Sequence, residues 1–303
     1  MKLANLLALT AAPFALFAAN PALADNHAEP AAAPSAKGPA LWKVADEDTT
    51  VYLFGTVHML PSTVDWNSGV VNTALATSQT LVTEIDLTPE TEASIVTAFQ
   101  TKGTLPEGQT LRGLMTEAQR TAYEGGLGKL QIPPGAFDQM EPWLASIVLL
   151  QIVTQASGFT PDMGVETVLE KTMAPGTARV ALETVDDQIK VFDEMAIDQQ
   201  LTYLLEFAAD PIEGIKSLNA LVDDWSKGNA DGVGAMMNEA LQAHPALAER
   251  LLYSRNATWA EWIDARLDQP GTVFIAVGAG HLAGEKSVQE YLAAKGIAAA
   301  RVN

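Results

Sequence analysis

The sequence predicts an α/β fold: a central mixed β-sheet, a large helical middle section and two distantly related halves. Three observations carry this. Two apolar runs, Val51-Tyr52-Leu53-Phe54 and Phe274-Ile275-Ala276-Val277, are each stopped by glycine, as buried strands are. Residues 186–268 hold successive amphipathic stretches of helical period and no convincing strand. The third is a repeated context. The two runs lead into Gly55-Thr56-Val57-His58 and Gly278-Ala279-Gly280-His281, and between them Leu81-Val82-Thr83-Glu84 resembles Val180-Ala181-Leu182-Glu183. The order His, Glu, Glu, His suggests two related halves meeting at one site.

The elements follow in order. Residues 41–44 and 51–54 flank a polar Asp-Glu-Asp stretch and predict a β-hairpin. A helix is expected over 67–76 and a strand over 80–85, ending in Glu84-Ile85-Asp86. Thr88-Pro89-Glu90 opens the next helix, with Thr as N-cap and Pro in the first turn. Helices are expected over 117–125, 141–156 and 165–172, then a strand over 178–182 that runs into Glu183-Thr184. Thr184-Val185-Asp186-Asp187 is an N-cap signal. The helices that follow are separated at Asp210-Pro211, Gly228-Asn229 and His244-Pro245. A strand over 272–277, a helix over 285–295 closed by Gly296 and a strand over 297–302 complete the chain. Segments 40–105 and 270–303 must meet for the sheet to form, so residues 40–303 are expected to be a single domain.

Residues 1–24 read as a secretory signal peptide. Met1-Lys2 is followed by an apolar stretch broken by Pro13, and Ala22-Leu23-Ala24 is a small-x-small cleavage site. Residues 25–39, rich in Ala and Pro, read as a disordered linker. No other segment approaches the ~20 apolar residues of a membrane span. The expectation is export across an inner membrane to the periplasm. With no Cys in the chain, thiolate ligands, Cys nucleophiles and disulfides are excluded. A formal charge of −19 argues against nucleic acid as a partner.

Candidate site residues come from the strand ends, where open α/β sheets bind ligands. His58 and His281 with Glu84 and Glu183 form an imidazole–carboxylate set suited to a divalent ion such as Mn, Co or Zn. Such an ion activates water, and Glu84 or Glu183 would serve as the base. Ser254 is a plausible N-cap, and Arg255, Trp259, Trp262 and Arg266 share one helical face. Arg255 is expected to bind a substrate carboxylate or a developing oxyanion. His244, in a polar helix connection, is expected at the surface.

These pieces resemble the TraB/GumN family, related to the animal Tiki proteins. The carrying residues are Leu41-Trp42-Lys43-Val44, Tyr52 to His58, Glu84-Ile85-Asp86, Leu182-Glu183-Thr184 with Gln188, Arg255-Asn256, and Val277 to Gly284. The resemblance spans about residues 40–303. It implies a fold like that of erythromycin-esterase-like (EreA) and ChaN-like proteins. It also implies a metal-dependent protease site, Mn- or Co-supported in the Tiki branch, at His58, Glu84, His281 and Arg255, with Glu183 as an added candidate. The family often has Gly-Leu-Asp where this chain has Gly164-Val165-Glu166, and Glu166 is therefore left outside the set.

The reading is an exported metal-dependent hydrolase, a peptidase acting on a peptide or protein. The alternatives are a non-catalytic periplasmic protein that sequesters a peptide, haem or metal, and an esterase-like hydrolase that uses a His/Glu pair without metal.

Overall fold

The computed structural model describes residues 38–303 except Ser68. The expected signal peptide, and the expected linker up to residue 37, lie outside the described residues.

The chain opens with an antiparallel hairpin of β1 (Leu41–Ala45) and β2 (Thr49–Thr56). Asp46 closes its turn by accepting hydrogen bonds from the backbone N–H groups of Asp48 and Thr49. After β3 (Leu60–Pro61), helix α1 (Val70–Thr77) leads to β4 (Thr80–Thr83). Helix α2 (Pro89–Lys102) starts where expected, with the Thr88 hydroxyl accepting from the Thr91 N–H. Helices α3 (Glu117–Lys129) and α4 (Pro142–Ala156), strand β5 (Phe159–Thr160), helix α5 (Val165–Thr172) and strand β6 (Ala178–Ala181) follow.

A helical run then comprises α6 (Val185–Asp193), α7 (Ile197–Ala209), α8 (Pro211–Ser226) and α9 (Ala230–Gln242). Short α10 (Pro245–Ala248) passes through a π-helical turn, Glu249–Tyr253, into α11 (Ser254–Leu267). Strand β7 (Gly271–Gly278), helix α12 (Val288–Ala294) and strand β8 (Ala300–Arg301) end the fold.

The sheet runs β6-β4-β7-β2-β1-β8. Its first four strands are mutually parallel, while β1 is antiparallel to both β2 and β8. This is the expected mixed sheet, and the strands that carry Glu183, Glu84, His281 and His58 all end at one edge. Parallel strands of this kind are covered on both faces. Along β7, Phe274 and Ala276 pack into the core shared with the helical middle section. Val273, Ile275 and Val277 pack instead with Trp259 and Ile263 of α11 and Leu292 of α12. The period of two thus sends alternate residues into two cores.

Some local expectations fail. The strand expected over 297–302 is reduced to Ala300 and Arg301, which pair with Lys43 and Trp42 of β1, with one further bond from the Val302 N–H to the Leu41 carbonyl. The helices expected over 67–76 and 285–295 begin at Val70 and Val288. Ser254 is not an N-cap: the helix continues through it, and its hydroxyl donates to the Glu249 carbonyl inside the π turn. The two-stranded sheet of β3 and β5 has no counterpart in the sequence reading, since two-residue strands have no period to read.

Two glycines set the edge geometry. A Cβ on Gly55 would lie 2.9 Å from the Ala279 Cα, where the chain leaving β7 crosses β2. A Cβ on Gly164 would lie 2.2 Å from the His58 carbonyl oxygen. That approach is closed by a hydrogen bond from the Val165 N–H to the Val57 carbonyl, 3.0 Å. Gly164→Ala is therefore expected to push α5 away from the end of β2, at about 1–3 kcal/mol. Chemical denaturation reads the loss, and an unchanged midpoint would count against the close approach.

Candidate functional site

Beyond Thr56 the β2 chain delivers His58 into a buried setting, 7% exposed. Its Nδ1–H donates to Glu166 Oε1 at 2.7 Å. The same oxygen accepts the Thr56 hydroxyl at 2.5 Å. Glu166 lies in the first turn of α5, held against His58 by the Gly164 approach and favoured as an anion by the helix start. Burial acts to raise the Glu166 pKa, but His58 and Thr56 outweigh it and hold the carboxyl below its usual range. For His58, burial acts downward, and the Glu166 carboxylate outweighs it and raises the imidazole pKa. With Nδ1 committed to Glu166, the tautomer is fixed and Nε2 carries the lone pair. That Nε2 is buried and has no hydrogen-bond partner among the described residues.

A second cluster forms where β4, β6 and β7 end. Backbone bonds from Leu182 to Thr83 and from Glu183 to Glu84, each 2.9 Å, extend the β4–β6 ladder and set the two glutamates side by side. Glu84 accepts from the Gly278 N–H at 2.7 Å, from Gln188 Nε2 at 3.1 Å and from Arg255 Nη2 at 2.7 Å. Glu183 takes Arg255 in a fork, from Nε at 2.7 Å and Nη2 at 2.8 Å, and also accepts the Trp259 indole N–H at 3.1 Å. Arg255 Nη1 donates to the Leu251 carbonyl at 2.8 Å and to His281 Nε2 at 3.2 Å. His281, fully buried, donates from Nδ1 to Asn256 Oδ1 at 2.5 Å and packs on the Trp259 ring, 4.3 Å between centroids.

The electrostatics divide the roles. Burial, then the Arg255 charge, holds the His281 pKa far below the usual histidine value, so His281 is neutral. Burial raises the Glu84 pKa against the opposing pulls of Arg255 and His58. Arg255 is held charged by Glu84 and Glu183 despite its burial.

All five residues singled out in the sequence reach one sheet edge. Four of them (Glu84, Glu183, Arg255 and His281) are in direct contact, and His58 pairs elsewhere, with Glu166. Arg255 does not offer its fork outward as expected: both edges of the guanidinium are turned onto Glu84, Glu183, His281 and the Leu251 carbonyl. Among the described residues, no three His, Asp or Glu side chains come together so as to hold a metal ion. The expected set of His58, His281, Glu84 and Glu183 does not fit a divalent ion as arranged, because Arg255 occupies the carboxylates and one imidazole.

Glu166 is the residue that sequence reasoning sets aside. The available signal is its position: an acid two residues after Gly164, where the resembling family carries Asp. His244 is also corrected. It is half-buried rather than fully at the surface, bonded through Nε2 to Glu206 at 2.9 Å and packed edge-on to Tyr203.

The fold and site define an α/β protein with a buried His–Glu pair and an arginine–carboxylate cluster at the carboxyl edge of its parallel strands. The chain belongs to the TraB/PrgY/gumN family, whose model matches residues 40–301. It is similar to the uncharacterized protein YbaP of Escherichia coli (strain K12), 25% identical over 215 residues, 66% of this chain and 75% of YbaP. YbaP of Shigella flexneri matches to the same extent. No solved structure matches the chain.

Proposed function

We propose that the protein is a hydrolase of amide or ester bonds, a peptidase in the first instance, in which His58 is the general base and Glu166 orients it. The observation that carries this is the His58 ring: one nitrogen is fixed on a buried carboxylate and the other is left without a partner. A base–orienter pair of this geometry is what activates water or a hydroxyl nucleophile. Neutral His58 takes the proton through Nε2. The imidazolium so formed is stabilised by Glu166, which stays ionised, and the proton is returned to the leaving group. His281 does not compete as a base, because burial and the Arg255 charge oppose its protonation and both its nitrogens are engaged.

The metal-dependent peptidase is the second reading. It is favoured by the unpartnered His58 Nε2, which is an open ligand position. It requires Arg255 to release Glu84, Glu183 and His281. Export to the periplasm remains part of the proposal and rests on the signal-like residues 1–24.

Purified protein is tested against a peptide library and a panel of activated esters, with and without chelator. Turnover in chelator that is lost in the Glu166→Gln variant supports the His–Glu reading. Turnover only with added Mn, Co or Zn favours the metal reading. Tight peptide or haem binding with no turnover under either condition makes the protein a binding protein instead.

A further inference from the structure

We infer that Arg255 is the resident cation of this site, held by Glu84, Glu183 and His281 in place of a metal ion. The three side chains come from the ends of β4, β6 and β7, separate segments brought together only by the sheet. They converge on one guanidinium. Glu183 Oε1 and Oε2 lie 2.7 and 2.8 Å from its nitrogens, Glu84 Oε2 lies at 2.7 Å and His281 Nε2 at 3.2 Å. Two carboxylates and an imidazole nitrogen are the donor set of a borderline divalent ion. Each N–H of the guanidinium has an acceptor among them or on the Leu251 carbonyl. The planar fork matches Glu183 edge to edge, a fit that a lysine cannot reproduce.

The cluster is built to keep that cation in place. The π-helical turn inserts its extra residue immediately before Ser254, and the turn supplies the Leu251 carbonyl that Nη1 meets. The guanidinium lies 4.9 Å from the Trp259 ring centroid, and the Trp259 indole N–H shares Glu183 with it. Asn256, the next residue, fixes the His281 tautomer through Oδ1, so that Nε2 presents its lone pair to Arg255. The Asn256 amide in turn donates to the Lys286 carbonyl and ties down the loop after His281. Arg255 is thus a positioning residue that holds three strand ends together, and His58 is left as the open nitrogen of the site. The assignment concerns cation occupancy and does not depend on hydrolysis.

Metal uptake by the chelator-treated full chain is measured from the electron paramagnetic resonance signal of free Mn²⁺, and by equilibrium dialysis with Zn²⁺. The wild type is expected to take up no stoichiometric ion. One equivalent bound by the wild type and lost in Glu183→Gln would overturn the inference. In Arg255→Gly the donors lose their cation, and millimolar guanidinium or Mn²⁺ is expected to raise the melting temperature by several degrees, as any ligand selective for the folded state does. The wild type is expected to show no such rise. A folded Arg255→Gly protein that gains nothing from either cation overturns the inference as well. If that variant is insoluble, the wild-type and Glu183→Gln arms decide alone. No substrate enters these measurements, so their failure is separable from failure of the hydrolase reading.

Discussion

Replacing Glu166 by Gln, or His58 by Gln, is expected to lower kcat/KM by about 10²–10⁴-fold while the protein stays folded. The pH dependence makes this specific to the pair. His58 must be neutral to accept a proton, and its pKa is raised, so the rate is expected to climb with pH through a midpoint above the ordinary histidine value of about 6.5. In Glu166→Gln the raising carboxylate is gone and burial, the largest influence, acts downward. The midpoint should then fall. The stability contribution has the matching signs. From the Glu166 side it is present above the carboxyl pKa of the unfolded chain and lost as pH falls through the depressed folded value. From the His58 side it is present below the unfolded histidine pKa and lost as pH rises through the raised folded value. A Glu166→Gln protein with wild-type turnover and an unmoved rate profile would remove His58 and Glu166 from the chemistry.

Arg255→Met is expected to cost on the order of 3–5 kcal/mol, because it leaves two buried carboxylates facing each other without their shared counter-charge. Glu84 is 2% exposed and the Glu183 side chain 10%, so water cannot readily replace the guanidinium. Arg255→Lys restores the charge but not the fork, and should fall between wild type and Met. Denaturant midpoints for the three proteins order them. A double-mutant cycle with Glu183→Gln then isolates the coupling, which should be large because the residues share one network. If Arg255→Met unfolds at the wild-type midpoint, the cluster contributes nothing to holding the strand ends together.

The strand ends are legible because their signals are local. Val51 to Gly55 and Phe274 to Gly278 state strand, stop and side-chain type in consecutive residues, and the parallel sheet brings them to one edge. The partner choices are not legible. His58 and Glu166 are joined by the close passage of Gly164 against the His58 carbonyl, a contact over 108 positions that no periodicity announces. Helical spacing places Arg255 correctly on a face with Trp259, yet its direction depends on a π turn, and spacing rules assume the absence of one. Strand propensity over 297–302 does not by itself set the length of β8, which pairs regularly through two residues only. His244 looks solvated beside Pro245, but the helix connection folds it onto Tyr203 and Glu206.

The pairing of β2 with β7 sets a timetable. Thr49 lies beside Gly271 and Thr56 beside Gly278, so the centre of the sheet joins residues from opposite ends of the chain. At ribosomal rates about 10–45 s separate the synthesis of the two strands. Until β7 appears, β2 has only β1 at its side, and an isolated hairpin is marginal in water. A nascent chain of this design stays open for most of its own production, and sheet closure is among its last events. Truncations removing residues 271–303 should therefore yield no partially assembled site at all.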